Sequence, residues 1–339
     1  MAEVQDFYSL DDTAQIRLLT RLAESAIRHW DGDFRDIDLI KYRENAVFSV
    51  RAENGARMAL RIHRHGYHTD AELLSELQWM EALARSGFAV PRIIPARNGA
   101  PFVTVADPGI PEPRQVDLLT WIYGEPLGQV ESSLSEVSGS LFHEMGRLAG
   151  ALHNHTESWP LPEGFTRHAW DLEGLVGDDP FWGRFWELPA LAGDQLALLN
   201  AARARARDDL AALHTGPHNY GLIHADFVPE NLLVSDKGLC LIDFDDAGFG
   251  WHMFELATAL VFHCGAGYFD AMKEGLLAGY RSVRPLSRED EDRLPLFLFL
   301  RASTYLGWVH TRSETQTARE LTPYLIENAC ALASAYLRQ

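Results

Sequence analysis

Apolar residues recur along this chain in two rhythms, and the change from one to the other divides it. Segments 37–41, 46–51 and 57–62 alternate with a period of two and read as three successive short strands. Glu53-Asn54-Gly55 lies between the second and third. Asn-Gly tolerates the left-handed backbone of a tight hairpin, so this first part is predicted to be an antiparallel sheet. In the third strand Met58, Leu60 and Ile62 point one way, and Ala59, Arg61 and His63 the other. A small residue beside a cation leaves room for a flat ligand and a group to hold its phosphates. An arginine on a solvated sheet face is the alternative that this stretch alone leaves open.

Helical spacing brackets those strands. Ile16, Leu19, Leu22, Ala23 and Ile27 predict a helix over 11–30 with Asp11 or Asp12 as cap. Thr69 with Glu72 is a capping box opening a second helix over 69–85, whose buried stripe is Leu73, Leu77, Met80 and Ala84. Glu72 is spent on the cap. Glu76 flanks the stripe and can reach the sheet, so it is the better partner for Arg61. Segments 90–95, 102–106 and 116–122 read as further strands, with a Pro- and Gly-rich loop at 107–114. The sheet then has about five strands, one of these short runs being no true strand, and ends near 123. Beyond it the rhythm is helical, at 141–155, 189–214, 252–282 and 288–337. An alternation of Ala and Arg over 201–207 reads as an exposed helix stretch.

One hairpin interrupts the helices. Leu232-Leu233-Val234 and Leu239-Cys240-Leu241-Ile242 flank Ser235-Asp236-Lys237-Gly238, a turn with Gly late in it. A hairpin sets its outer ends side by side, so Asn231 and Asp243, twelve positions apart, meet at the open end. Asp226 precedes Asn231 by five positions. An acid, an amide oxygen and a second acid on one rim can bind hard cations and handle a hydroxyl proton.

Composition narrows the partners. The 339 residues are 47% hydrophobic and 23% charged, which is globular, and are long enough for two lobes. A net charge of −18 disfavours nucleic acid and is easier to reconcile with a cationic or neutral small substrate, or with metal-bound phosphates. Cys240, Cys264 and Cys330 form no CxxC pattern, and the acidic N-terminus is unlike a signal peptide. No apolar run reaches membrane-spanning length, the longest lying near 296–300, so a reducing, cytoplasmic setting without membrane contact is expected. His63, His65 and His68 lack a matching Cys or carboxylate set and read as surface or core histidines. Trp170, Phe181, Trp182 and Trp186 read mainly as packing, with a wall for a cationic ligand as the alternative. Arg301, Tyr305 and Trp308 share a helical face and read as a core stripe with a buried ion pair rather than a substrate pocket.

Phosphoryl transfer requires a carboxylate to orient the attacking hydroxyl, oxygen ligands for the cations bridging the phosphates, and a cation on the phosphates. Asp226, Asn231, Asp243 and Arg61 supply these four parts. The phrase LIHADFVPENLLV followed by LIDFDDAGFG resembles the catalytic and metal segments of the aminoglycoside phosphotransferase and choline kinase family, including homoserine-kinase-type enzymes, within the protein-kinase-like superfamily. ENAVFSV, Ala59-Leu60-Arg61, SELQWMEAL and LTWIYGEPL extend the resemblance over roughly 35–260.

The resemblance implies an α+β, bilobal protein-kinase-like fold. Its N-lobe, 1–123, would be an antiparallel five-stranded sheet with one main helix that binds nucleotide. Its C-lobe, 124–339, would be mostly helical and carry the catalytic and metal loops. It also implies Asp226 as catalytic base, Asn231 and Asp243 as Mg²⁺ ligands, and Arg61 with Glu76 as the phosphate-positioning pair. Asn45 would lie in the phosphate-covering loop, and Thr120, Trp121 and Ile122 in an adenine-holding hinge. ATP and Mg²⁺ would sit between the lobes, and the acceptor would be a hydroxyl of a small, amine-bearing metabolite. A protein Ser/Thr kinase of the same fold and a catalytically weak nucleotide-binding protein are the alternatives.

Several features depart from the family pattern. Arg61 replaces the usual lysine. Glu44-Asn45-Ala46-Val47 stands where other kinases have GxGxxG. No long activation loop follows Asp243, and Glu255 stands where Asp is common. His224 reads as structural, and Asp245 and Asp246 as loop-stabilising or substrate-facing.

Overall fold

Alternation in the first segments builds the expected sheet. In the computed structural model, which describes residues 7–43, 45–128, 134, 139–236 and 238–339, the chain falls into two compact units. One is Met1–Tyr123 with Pro162–Thr166, the other Gly124–Leu161 with Arg167–Gln339. Glu44, Lys237 and the first six residues lie outside the described residues.

The first unit contains α1 (Asp12–Ala26), β1 (Phe34–Tyr42), β2 (Ala46–Ala52), β3 (Arg57–Ile62), α2 (Asp70–Arg85), β4 (Phe102–Val105) and β5 (Arg114–Thr120). The strands pair antiparallel in the order β1-β2-β3-β5-β4. Gly55 takes φ +84° in the β2–β3 turn. Register sets Phe48 opposite Leu60 and Leu60 opposite Leu118, all fully buried. Met58, Leu60 and Ile62 join Leu19, Leu22 and Ala23 of α1 in one core, so a second helix covers this face. Asp11 is the cap of α1, accepting from the Ala14 N–H at 2.8 Å. The capping box of α2 is present in both directions.

Segment 90–95, predicted as a strand, is instead a single bridge between Ile93 and Leu119. Pro91 and Pro95 have no N–H to give a ladder, so pairing cannot spread. The last strand ends at Thr120 rather than 122, leaving 121–124 irregular.

The second unit contains β6 (Glu125–Pro126), α3 (Gly139–Ser158), β7 (Ala169–Trp170), α4 (Leu172–Val176), α5 (Gly193–Ala212), β8 (Tyr220–Ile223), β9 (Leu232–Ser235), β10 (Gly238–Leu241), β11 (Gly248–Trp251), α6 (His252–Leu260), α7 (Phe269–Arg281), α8 (Arg288–Asp292), α9 (Leu294–Thr311) and α10 (Gln316–Leu337). The hairpin is therefore not the sole interruption: it extends to β10-β9-β6, and a second small sheet runs β7-β11-β8. β8 and β11 pair antiparallel from Ile223–Gly248 to Tyr220–Trp251, closing a neck around 224–247. Segments of two to four residues carry too little alternation to announce themselves.

The helices α3 and α7 approach closely through glycines: a Cβ on Gly146 would lie 1.8 Å from the Leu276 carbonyl, and one on Gly279 1.9 Å from that of His143. Among the described residues no helix is long and apolar enough to cross a membrane.

Candidate functional site

In the first unit the face of β3 turned from the α1 core carries Arg61, which is buried there rather than solvated. Its Nη1 donates to Glu76 Oε1 at 2.9 Å. The fork of Nε and Nη2 donates to Asp117 Oδ1 and Oδ2 at 3.0 and 2.6 Å. His63 Nε2 meets Asp117 Oδ2 at 2.9 Å, which gives that histidine a structural task. Burial pushes the Asp117 carboxyl up, but Arg61 and then His63 outweigh it and hold it down at about 2. Arg61 and Asp117 face each other in the β3–β5 register, which places the cation beside the second acid. The Arg61–Glu76 pair was readable from the sequence; Asp117 was not anticipated. Its signal is an acid inside the otherwise apolar run Val116-Asp117-Leu118-Leu119 of a central strand.

Asn45 precedes β2, and its Oδ1 accepts the Arg64 N–H at 3.0 Å, tying the β1–β2 turn to the chain after β3. Thr120 gives its N–H to the Arg92 carbonyl and accepts the Arg92 N–H on Oγ1, both at 2.9 Å. Trp121 lies under the Arg57 guanidinium at 3.6 Å, and Ile122 is half-buried.

In the second unit the neck formed by β8 and β11 holds the stretch carrying Asp226, Asn231 and Asp243. Asn231 ends a short 3₁₀ turn, Pro229–Asn231, which folds it back under Asp226. Its Nδ2 donates to the Asp226 carbonyl at 2.9 Å and to Oδ2 at 2.7 Å. One position past the ladder, Ile242 N–H donates to the Asn231 carbonyl at 3.0 Å, so Asn231 stands opposite Ile242 and Asp243 follows one residue beyond at the open end of the hairpin. Ala225 and Asp243 take φ +63° and +66°, a conformation that costs non-glycine residues on the order of 1 kcal/mol or more. Glu255, wholly buried, offsets this by accepting the N–H groups of His224 and Ala225, each at 2.8 Å. Burial also raises its carboxyl above the ordinary value, against the pull of His224.

His224 Nε2 bonds the Ile242 carbonyl at 3.0 Å, and Nδ1 accepts the Asp226 N–H at 3.3 Å. Burial holds its imidazole below 6.5, so the neutral ring is structural, as its sequence context suggests.

Asp226 Oδ1 accepts from Arg301 Nη2 at 2.7 Å, and the Tyr305 hydroxyl is 3.4 Å away. The Asp226 side chain is 22% exposed, Arg301 0%. The ion pair anticipated for α9 thus exists, buried on the arginine side and partly exposed on the other, where its partner is the candidate base. The aromatic cluster packs against the protein's own side chains: Trp182 lies 4.8 Å from the Arg301 guanidinium, Trp186 3.5 Å from that of Arg203, and Phe181 stacks on the His168 ring at 3.8 Å. In 201–207 the alanines Ala202 and Ala206 are buried and Arg203 is partly covered, so that stretch is exposed on one side only.

A basic residue clamped to a helix carboxylate on an antiparallel five-stranded sheet, with a hairpin rim of Asp, Asn and Asp in a helical unit, defines a phosphotransferase of protein-kinase-like fold. The profile of the "Phosphotransferase enzyme family" matches residues 40–286, and the chain belongs to that family. A microcompartment-associated aminopropanol kinase has the same fold with TM-score 0.83 and 34% identity, covering 94% of this chain and 97% of that one. Amicoumacin kinase of Bacillus subtilis (strain 168) is 25% identical over 310 residues, 88% of this chain and 87% of the relative. An amicoumacin kinase solved with AMP-PNP, Ca²⁺ and Ami superposes with TM-score 0.76 at 18% identity, covering 95% of this chain and 96% of that one.

Proposed function

We propose that this phosphotransferase moves the γ-phosphoryl group of ATP to a hydroxyl of a small, amine-bearing metabolite in the cytoplasm. The observation that carries the proposal is Asp226: a partly exposed carboxylate fixed on one oxygen by Asn231 and on the other by Arg301. Such a group can accept a hydrogen bond from an acceptor hydroxyl and take up its proton as the phosphoryl group arrives. Residues 124–339 would supply this chemistry, and 1–123 would bind the nucleotide. There Arg61, oriented by Glu76, would hold phosphate, Asn45 would shape the covering loop, and Thr120, Trp121 and Ile122 would hold adenine.

The donor set suits a hard cation. Donation of Asn231 Nδ2 to Asp226 orients the amide so that its oxygen is the other terminus, and Asp243 adds an exposed carboxylate. Amide and carboxylate oxygens are what Mg²⁺ takes. Bound there, Mg²⁺ would neutralise charge on the phosphates. The amicoumacin kinase complex with AMP-PNP and Ca²⁺, and the aminopropanol kinase, support the nucleotide, the divalent ion and the amino-alcohol class. The net charge of −18 favours a cationic acceptor.

One observation favours a second reading, a catalytically weak nucleotide-binding protein: Arg61 already faces two carboxylates. ADP release from ATP and Mg²⁺ separates the two when aminopropanol, ethanolamine and homoserine are tested as acceptors beside Asp226→Asn. Stimulation by an amino alcohol, lost by roughly 10²–10⁴-fold in the variant with ATP affinity retained, is the expected result. Tight ATP binding with no stimulation by any acceptor would favour the binder or a protein acceptor.

A further inference from the structure

Arg301 is wholly buried in α9, on a helix whose neighbouring positions Leu298, Phe299, Leu300 and Ala302 are buried too. Placing a guanidinium there is costly to the fold before pairing, and an apolar side chain of similar volume is often as stable or more so. The pairing it receives is lopsided. Nη2 alone carries the hydrogen bonds, to Asp226 Oδ1 and to the Tyr305 hydroxyl, each at 2.7 Å. Nε and Nη1 have no hydrogen-bond partner among the described residues. Instead the guanidinium lies among the rings of Tyr305, Trp182 and Phe254, at 4.3, 4.8 and 5.6 Å. The cation is therefore held by an aromatic box and offers one nitrogen to the candidate base.

We propose that Arg301 is a positioning residue for phosphoryl transfer, with the Tyr305 hydroxyl as its aid. The inference rests on the reading of Asp226 as the acceptor-facing carboxylate. With Oδ2 on Asn231 and Oδ1 on Arg301, rotation of the carboxylate is blocked at both ends, and the partly exposed group keeps one orientation towards an acceptor. In the step it serves, the acceptor oxygen bonds to the γ-phosphorus and the bond from that phosphorus to the β,γ-bridging oxygen breaks. ADP leaves, and the hydroxyl proton passes to Asp226. Holding both oxygens fixes the direction in which the carboxylate meets the acceptor hydroxyl, so the residue that holds it matters when the acceptor oxygen is aligned with the γ-phosphorus. Arg301 then acts on the chemical step and not on nucleotide affinity.

The test uses the full chain with ATP, Mg²⁺ and aminopropanol, and ATP hydrolysis as the arm that needs no acceptor. Arg301→Lys keeps the charge but offers a single ammonium in place of the fork. We expect kcat to fall roughly 10–100-fold with KM for ATP within about twofold. Arg301→Ala should fall further, and millimolar guanidinium, which fits the emptied aromatic box, should restore at least about tenfold while leaving the parent protein unchanged. Should the Ala variant not fold, Tyr305→Phe takes its place, with kcat lowered several-fold at unchanged KM. Wild-type kcat in Arg301→Lys, or a change confined to KM for ATP, overturns the proposal. Asp226→Asn measured alongside separates the two layers. If it turns over normally, the reading of the site fails and this inference with it; if it is inactive while Arg301→Lys is not impaired, only the inference fails.

Discussion

Among the buried arginines, Arg61 in the first unit and Arg301 in the second are held in opposite ways. Arg61 is gripped by two carboxylates, bidentate from Asp117 and single from Glu76, all three side chains being nearly or fully buried. Arg301 meets a carboxylate through one nitrogen and rests otherwise against aromatic rings, while its partner Asp226 stays partly exposed. In the first cluster the acids serve to fix the cation. In the second the cation serves to fix the acid. On the proposed reading, the reactive member is the partner that keeps access to solvent, a criterion that charge alone does not give.

The sharpest way to break this comparison is to remove each charge. Arg61→Met should cost on the order of 3–5 kcal/mol in urea unfolding, because it strands two buried acids. Arg301→Met should cost far less stability, since the box accepts an apolar side chain and Asp226 keeps water. A similar loss for both variants would erase the distinction.

The next effect is acid sensitivity of the first unit. The Asp117 carboxyl is depressed from 3.8 to about 2, so its stabilisation is fully present above pH 4 and disappears as pH falls through about 2. That difference is worth roughly 2 kcal/mol. Asp117→Asn should therefore lose about that amount at neutral pH and only a small part of it at pH 2, as read by a pH series of unfolding curves.

The second unit should respond at milder pH. His153 and His252 stack at 4.1 Å, and burial holds both well below 6.5. Groups with depressed histidine values stabilise above the unfolded value and lose that contribution as pH falls below 6.5. Unfolding of the second unit, followed by hydrogen exchange, should thus become easier between pH 6.5 and 5, and His153→Phe should flatten that slope. An unchanged slope would remove these two histidines from the account.

The smallest effect expected is at the box wall. Trp182→Leu should weaken the hold on Arg301 by about 1 kcal/mol, lowering kcat a few-fold with folding nearly intact. No change would assign the hold to Tyr305 and Phe254.

Much of the first cluster is legible in the chain. The capping box removes Glu72 from contention, and helical spacing turns Glu76 towards the sheet, so its pairing with Arg61 follows from local rules. Asp117 escapes because β5 is buried on both sides: Val116, Leu118 and Leu119 flank it without alternation, and nothing marks the face it uses. The hairpin, and with it the placement of Asn231 and Asp243 at its two outer ends, follows from turn chemistry. The partner of Arg301 does not, because it lies 75 positions earlier and α9 is apolar nearly all round, so its sequence assigns no direction to the cation. Glu255 was visible as a substitution, but its bonds to the His224 and Ala225 amides depend on a backbone turn that only the fold creates.

The neck between Ile223 and Gly248 has a kinetic consequence. The candidate base and both candidate ligands lie on one closed excursion of the chain, so a single loop closure brings all three onto it. Its entropic toll grows only with the logarithm of the loop's length. The excursion should therefore open and close as one cooperative patch. The amides of Ala225, Asn231 and Ile242 should share a common exchange rate whenever that neck is what fails first.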